Sequence, residues 1–180
     1  MTMRHLPTAV LLALGLGFAT CGGSSSSTES EKAPAPVLKQ QEEPKVVSAC
    51  SLLTAEEAAA ILGEPVEKPS ESATGSTVSN CNWMTGSSTS VGILLRRASS
   101  KAEAERVYQQ AHQQSKSVSG VDPEDISGLG DKAYWAGGHI NQLNVFKGNY
   151  WLIIMANKGN GADSLAAAKA VAGKALAKLS

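Results

Sequence analysis

Three segments of the chain repeat apolar residues at helical spacing. In the first segment, Thr54 and Glu57 form a capping-box pair, and Gly63 followed by Pro65 ends the helix. The apolar side chains after this cap share one helix face, so that face is expected to be buried. These side chains are Ala55, Ala58, Ile61 and Leu62.

A second helix is predicted to begin at the capping-box pair Ser100 and Glu103 and to fray over 115–120. Its apolar stripe is Ala104, Val107, Tyr108 and Ala111. The third helix is rich in alanine, and Asp163 or Ser164 is expected to cap it. Its predicted buried stripe is Leu165, Ala168, Ala172, Leu176 and Leu179, and its predicted solvated face is Lys169, Lys174 and Lys178.

The segments between these helices have strand-like composition, with β-branched residues and alternating apolar positions. The predicted strands span 78–85, 89–97, 132–136, 140–147 and 150–156. Gly137-Gly138 and Gly148-Asn149 predict two-residue hairpin turns, because glycine adopts the positive φ that such turns need. The last strand is apolar on both faces, which predicts a central position in the sheet.

The order of these elements predicts an α+β fold over 46–180, with helices packed on one face of an antiparallel sheet. The two halves of this region follow similar patterns, ββα and then βββα. The similarity suggests an internal duplication.

The first part of the chain, 1–20, has the pattern of an export signal. Arg4 supplies a positive charge, and the apolar run 6–18 is too short to span a bilayer as a mature helix. Phe18-Ala19-Thr20-Cys21 resembles the lipobox of bacterial lipoproteins, which implies lipidation of Cys21, with palmitate among the acyl groups, and cleavage before it. Ordinary secretion without a lipid is the alternative.

The next segment, 21–45, is rich in Gly, Ser, Pro, Glu and Lys, and is predicted to be a disordered tether. Together with the signal, it predicts an extracytoplasmic domain anchored to a bacterial membrane by the lipid on Cys21. The sequence has 16 basic and 16 acidic residues, and loss of the signal removes only Arg4. The near-neutral mature chain offers no electrostatic basis for binding nucleic acid.

Two cysteines, Cys50 and Cys81, remain once Cys21 is assigned to the lipid. An even pair in an exported domain predicts a disulfide bond. Two reduced thiols on a metal ion are the alternative, although no third ligand lies at a suitable spacing. We therefore expect neither a metal site nor a cofactor.

Several motifs together resemble a family of exported lipoproteins of unknown function that is common in actinobacteria. They are Cys50-Ser-Leu-Leu53 with the helix after it, Cys81-Asn-Trp83, and Gly128-Leu-Gly-Asp131 followed by Lys-Ala-Tyr-Trp135. The likeness covers roughly 50–156, with the motifs in the same order. It implies an envelope location, a disulfide and an α+β fold, and it implies no particular reaction.

Catalytic motifs are missing from the sequence, so we expect no enzymatic activity. His112 and His139, the only histidines after signal removal, are expected at the surface. The acidic residues Asp122, Glu124, Asp125 and Asp131 could form a calcium site, but their spacing fits an ordinary solvated loop better.

The remaining candidates for binding are aromatic. Trp135 follows Tyr134 and precedes the Gly137-Gly138 turn, so the two rings could form the floor of a ligand groove on an open sheet face. Trp83 and Trp151 are expected in the packed core, and a core position for Trp135 is the alternative to the groove. The leading hypothesis is a non-catalytic binding or sensing module for an unknown ligand or envelope protein. The alternatives are a structural or accessory subunit of an envelope complex and, less favoured, an enzyme of unfamiliar type.

Overall fold

The computed structural model describes residues 47–179. The predicted signal (1–20), tether (21–45) and lipidation site Cys21 lie outside the described residues. The helices are α1 Ala55–Leu62, α2 Lys101–Ser119 and α3 Gly161–Lys178, and a short 3-10 helix, Ala49–Leu52, precedes α1. The strands are β1 Ser70–Thr74, β2 Val78–Met84, β3 Ser90–Arg97, β4 Glu124–Asp125, β5 Lys132–Ala136, β6 Gln142–Lys147 and β7 Tyr150–Asn157. No helix in the described range is long and apolar enough to cross a membrane.

The seven strands form one antiparallel sheet in the order β1-β2-β3-β7-β6-β5-β4, which confirms the predicted α+β class. The central position predicted for the last strand is confirmed, because β7 lies between β3 and β6. Its pairing with β3 runs from Ser90 opposite Asn157 to Arg97 opposite Tyr150. This pairing joins the first hairpin to the later strands.

The main hydrophobic core lies between one face of the sheet and the elements α1, α3 and the 3-10 helix. Alternate residues of β3, Val91, Ile93 and Leu95, point into this core, as their spacing predicts. Helix α3 contributes mainly alanine and valine side chains, rather than leucine, to this core. Its fully buried positions include Ala168, Val171, Ala172 and Ala175. Small side chains let α3 lie close to the sheet.

Helix α2 packs on the opposite face of the sheet, where a second, smaller cluster forms around Tyr134 and Phe146. The sequence predicted helices on one face only, and α2 departs from that expectation. The reason is the two-residue alternation of β5, which directs Ala133 and Trp135 to the main core and Tyr134 and Ala136 to α2. Both sheet faces therefore carry apolar side chains.

Cys50 and Cys81 form the predicted disulfide, with their Cα atoms 5.1 Å apart. The bond connects the 3-10 helix to β2. Cys81 is fully buried, and Trp83 next to it on the same face is 1% exposed. The disulfide therefore connects the start of the domain to the sheet within the main core.

The ends of the helices differ in part from the predictions. The capping box of α1 is confirmed, with Glu57 N donating to Thr54 Oγ1 and Thr54 N donating to Glu57 Oε2. At α2 the hydroxyl of Ser100 caps as predicted, but the Glu103 carboxylate accepts from Ser99 instead of closing a capping box.

The C-terminal end of α2 does not fray at 115 as predicted, because the helix continues to Ser119 and ends at Gly120 with φ 80°. The cap of α3 is Asn160 rather than Asp163 or Ser164. Its side-chain oxygen accepts from Ala162 N and Asp163 N. A serine or aspartate inside the first turn resembles a cap in sequence, and only the backbone distinguishes the two.

The turns and edges of the sheet also differ in part from the predictions. The tight turn at Gly148-Asn149 is confirmed, since Lys147 pairs with Tyr150. The predicted Gly137-Gly138 turn is wrong, because β5 and β6 are joined by the longer connection 137–141. A side chain at Gly138 would meet the Ser119 carbonyl oxygen at 2.2 Å, so this glycine allows the connection to touch the end of α2. The two edge strands were not predicted. The polar sequence of β1 has no apolar alternation, and the two-residue β4 lies in the segment 121–130, whose composition predicts a loop.

The lysine face of α3, expected to be solvated, also contacts α1. Glu57 lies 2.8 Å from Lys178 Nζ and 3.6 Å from Lys174 Nζ. The hydrogen bond from Lys178, followed by that from the Thr54 backbone, lowers the pKa of Glu57 to about 2. The carboxylate that caps α1 thus also links the first and last helices.

Candidate functional site

The two predicted binding residues lie on opposite faces of β5. Trp135 is 7% exposed and belongs to the main core, whereas Tyr134 is 3% exposed and faces α2. The expectation that Trp135 stands on an open sheet face is therefore wrong, because strand alternation turns its ring toward α3's side of the sheet. Ligand binding at Tyr134 remains a prediction.

The other two tryptophans also lie on opposite faces of the sheet. Trp83 is buried in the main core, as predicted. Trp151 is only half-buried and lies on the α2 face, where it stacks on Phe146 with ring centroids 5.2 Å apart. Its indole Nε1 donates a hydrogen bond to Asn144 Oδ1 at 3.1 Å. An aromatic ring and a carboxamide are thus held together on this face.

Helix α2 packs on the sheet through the ring of Tyr108. This ring meets Phe146 edge to face at 5.0 Å and Tyr134 at 5.8 Å. Burial raises the pKa of Tyr134, and the neighbouring Tyr108 adds to that effect. The neutral phenol of Tyr134 contributes its ring to the packing between α2 and the sheet.

Three acidic residues of the 122–131 segment contact α2 and the β6–β7 turn. Asp125 Oδ1 lies 3.0 Å from His112 Nε2, and Asp122 Oδ2 lies 2.9 Å from Lys116 Nζ. Asp131 accepts a hydrogen bond from Gly148 N in the β6–β7 turn. Within 47–179 no group of three or more His, Cys, Asp or Glu residues could hold a metal ion.

A groove of about 190 Å³ runs between the second half of α2 and the adjoining sheet surface. The helix contributes Gln114, Ser115 and Val118, and the sheet contributes Gln142, Asn144, Trp151 and Ile153. Tyr134 also lines it, so one of the two predicted binding residues reaches this groove. Every side chain around the groove is uncharged at neutral pH.

Ser115 is the least expected residue of the groove. It is 6% exposed, and its Oγ is buried without a hydrogen-bond partner among the described residues. A buried hydroxyl left unpaired is costly, and most such groups in proteins find a partner. The sequence contains the signal for this position, because Ser115 follows Ala111 and Tyr108 at helical spacing and so continues the stripe.

A second depression, of about 330 Å³, continues across the open part of the same sheet face. It shares Ile140 with the groove, and its amide side chains are Asn82, Asn141 and Asn157. Gly92 leaves room for the neighbouring carboxamide, since a side chain at this position would meet Asn82 Oδ1 at 2.3 Å. The two hollows together form an extended surface whose lining contains no Asp, Glu, Lys or Arg, and which we call the amide groove.

A third hollow, of about 310 Å³, lies where the β1–β2 turn approaches the end of β3. It is lined by Ser76, Thr77, Arg97, Ala98 and Ser99. Arg97 gives it a positive charge, but none of its side chains is a buried group left without a partner. It therefore carries less evidence for a ligand than the amide groove.

Comparison with protein-family models, with curated proteins and with solved structures finds no match to this chain.

The burial of Trp135 gives a direct test of its role. Replacing Trp135 with alanine removes a large side chain from the main core, so we expect the free energy of unfolding to fall by about 3–5 kcal/mol. Chemical denaturation followed by circular dichroism measures this loss, and Trp83→Ala serves as the matched core control. A change below about 1 kcal/mol, typical of surface substitutions, would assign Trp135 to the surface instead.

Proposed function

We propose that this protein is a membrane-anchored extracytoplasmic lipoprotein whose domain is a non-catalytic binding module. The lipobox-like Cys21 and the polar segment after it support the anchoring part of the proposal. The domain binds its ligand in the amide groove. Catalysis is not part of this function.

The single observation that carries the binding role is Ser115, the buried and unpartnered hydroxyl that lines the amide groove. Binding sites combine apolar walls with a few polar groups that await a partner. Here Ile153 and Trp151 provide apolar surface, and Gln114 and Gln142 provide hydrogen-bonding groups beside the serine. Most buried polar groups in a folded domain already have a hydrogen-bond partner, so the unpaired hydroxyl of Ser115 is an exception.

The pairing of several acid and base side chains near this face supports binding over catalysis. His112 is paired with Asp125, and Lys132 is paired with Glu105. The largest effect on the pKa of both Glu105 and Lys132 is their mutual hydrogen bond, which lowers the first and raises the second. Both groups are thereby held in their charged forms, and their ion pair connects α2 to β5.

A role as an accessory subunit is favoured by a different observation. All five residues of β1 are exposed, and this strand forms an edge of the sheet. An open edge offers unpaired backbone groups to a strand from another protein. Association through β1 would leave the amide groove free, so the two functions can be tested separately.

Anchoring is tested on the full-length chain expressed in a bacterial host. We expect the wild-type protein to partition into the detergent phase and to carry diacylglyceryl and acyl mass on Cys21. The variant Cys21→Ser should carry neither the lipid mass nor a new N-terminus at residue 21, because the thiol that accepts the lipid is missing. An unmodified mass at residue 21 in the wild-type chain would contradict the anchoring part.

Binding is tested by placing a photo-crosslinking phenylalanine analogue at Val118, which is 60% exposed and lines the amide groove. The matched control carries the same group at Val121, which is 43% exposed and does not line it. We expect a discrete adduct of defined mass from cells carrying the first variant alone. Identical adducts at both positions, or none at either, would contradict a binding role for the groove.

A further inference from the structure

We propose that the ligand of the amide groove is a neutral saccharide chain, an inference that rests on the binding function proposed above. Three properties of the groove lead to it: the absence of Asp, Glu, Lys and Arg from its lining, the kinds of hydrogen-bonding groups it offers, and its position on a sheet face.

The charge of the groove selects against ionic ligands. The hollow beside α2 contains no Asp, Glu, Lys or Arg, and the adjoining hollow contains one titratable side chain, His139. The charged residues of α2 that reach the sheet lie outside the groove, where Lys116 and Glu105 are paired with Asp122 and Lys132. A phosphate, a carboxylate or an ammonium group would be desolvated here without a counter-charge.

The polar groups of the groove are carboxamides and a hydroxyl. Gln114, Gln142, Asn82 and Asn157 each present a donor and an acceptor, and Ser115 Oγ can act as either. Adjacent hydroxyl groups on a sugar ring also donate and accept, so a carboxamide can bind two of them at once. A rotation of the Ser115 side chain toward the groove would give its buried Oγ the partner it lacks.

The apolar groups suit the other side of a sugar ring, whose C–H bonds pack against aromatic rings and aliphatic chains. Trp151 is held in place by Phe146 on one side and by its hydrogen bond to Asn144. Ile153 and Met155 follow it on the same sheet face. The row of apolar side chains beside a row of amides fits a chain of linked rings rather than a single one.

The position on the sheet disfavours an extended peptide, the other neutral polymer with amide or hydroxyl groups. Peptides that bind sheets pair with free backbone groups at an edge. The groove lies over β2, β3, β7, β6 and β5. The first four are paired on both sides, and β5 is paired on its outer side with β4 at Tyr134 and Trp135. Only side chains are available to a ligand there.

The test uses the full chain carrying Cys21→Ser, titrated with short neutral oligosaccharides of glucose, mannose, galactose and N-acetylglucosamine. Uronic-acid oligosaccharides and a capped, uncharged peptide are the comparison ligands. Two-dimensional NMR reports which amides shift. We expect at least one neutral oligosaccharide to shift α2 and β7 amides, with an affinity that does not change with salt because no ion pair forms.

Variants distinguish this site from other surfaces. Gln114→Ala should weaken binding about 3- to 10-fold, the loss expected for one hydrogen bond. Gln113→Ala, at the exposed neighbouring position outside the groove, should leave affinity unchanged. Ser115→Ala should also weaken binding while leaving the melting temperature unchanged or higher, because it removes an unpaired buried hydroxyl.

The remaining outcomes separate the two proposals. Binding of the capped peptide or of the charged sugars in the groove, without binding of any neutral oligosaccharide, would overturn the saccharide proposal and leave the binding module standing. If none of the ligands shifts the groove and the Val118 crosslink also fails, the binding function itself is wrong.

Discussion

The pairing of β3 with β7 is the constraint on which the rest of this domain depends. These strands come from distant parts of the sequence, and their ladder runs along the whole length of both. Without it the β2–β3 hairpin and the β5–β7 meander would be separate sheets, each with one face too small for a core. Joined, they form a surface wide enough for α3 on one side and α2 on the other.

The two faces of this joined sheet are covered to different extents. On one face, Ile93 and Ile154 are paired across the junction and are completely buried, and α3 covers them with small side chains. On the other face, Leu94 and Ile153 are paired at the same level but only half-buried, because α2 lies over β5 and β6 instead. The amide groove is the part of this second face that α2 leaves uncovered.

The sequence predicts most of the strands and the disulfide because each depends on local pattern. The alternation of Val91, Ile93 and Leu95 predicts a strand with one buried face. Cys50 and Cys81 are the two cysteines left to pair, and Gly148-Asn149 predicts a hairpin turn.

The sheet face on which α2 packs and the burial of Trp135 could not be predicted from the sequence, because both depend on which face of β5 each side chain takes. Adjacent Tyr134 and Trp135 look like one aromatic site in sequence, yet strand geometry sends them to different cores. The use of Gly138 to approach Ser119 was equally hidden, because it depends on a contact between elements far apart in the chain.

Native-state hydrogen exchange of the full chain tests the central claim, that one cooperative sheet joined at β3–β7 carries both the core and the groove. Amides such as those of Ile93 and Ile154 should exchange only through global unfolding, with the same free energy on both sides of the junction. The β2–β3 hairpin and the β5–β7 meander should therefore lose protection together as denaturant is added. Protection of the meander that persists after the hairpin has exchanged would mean that the halves fold independently, and would contradict this account.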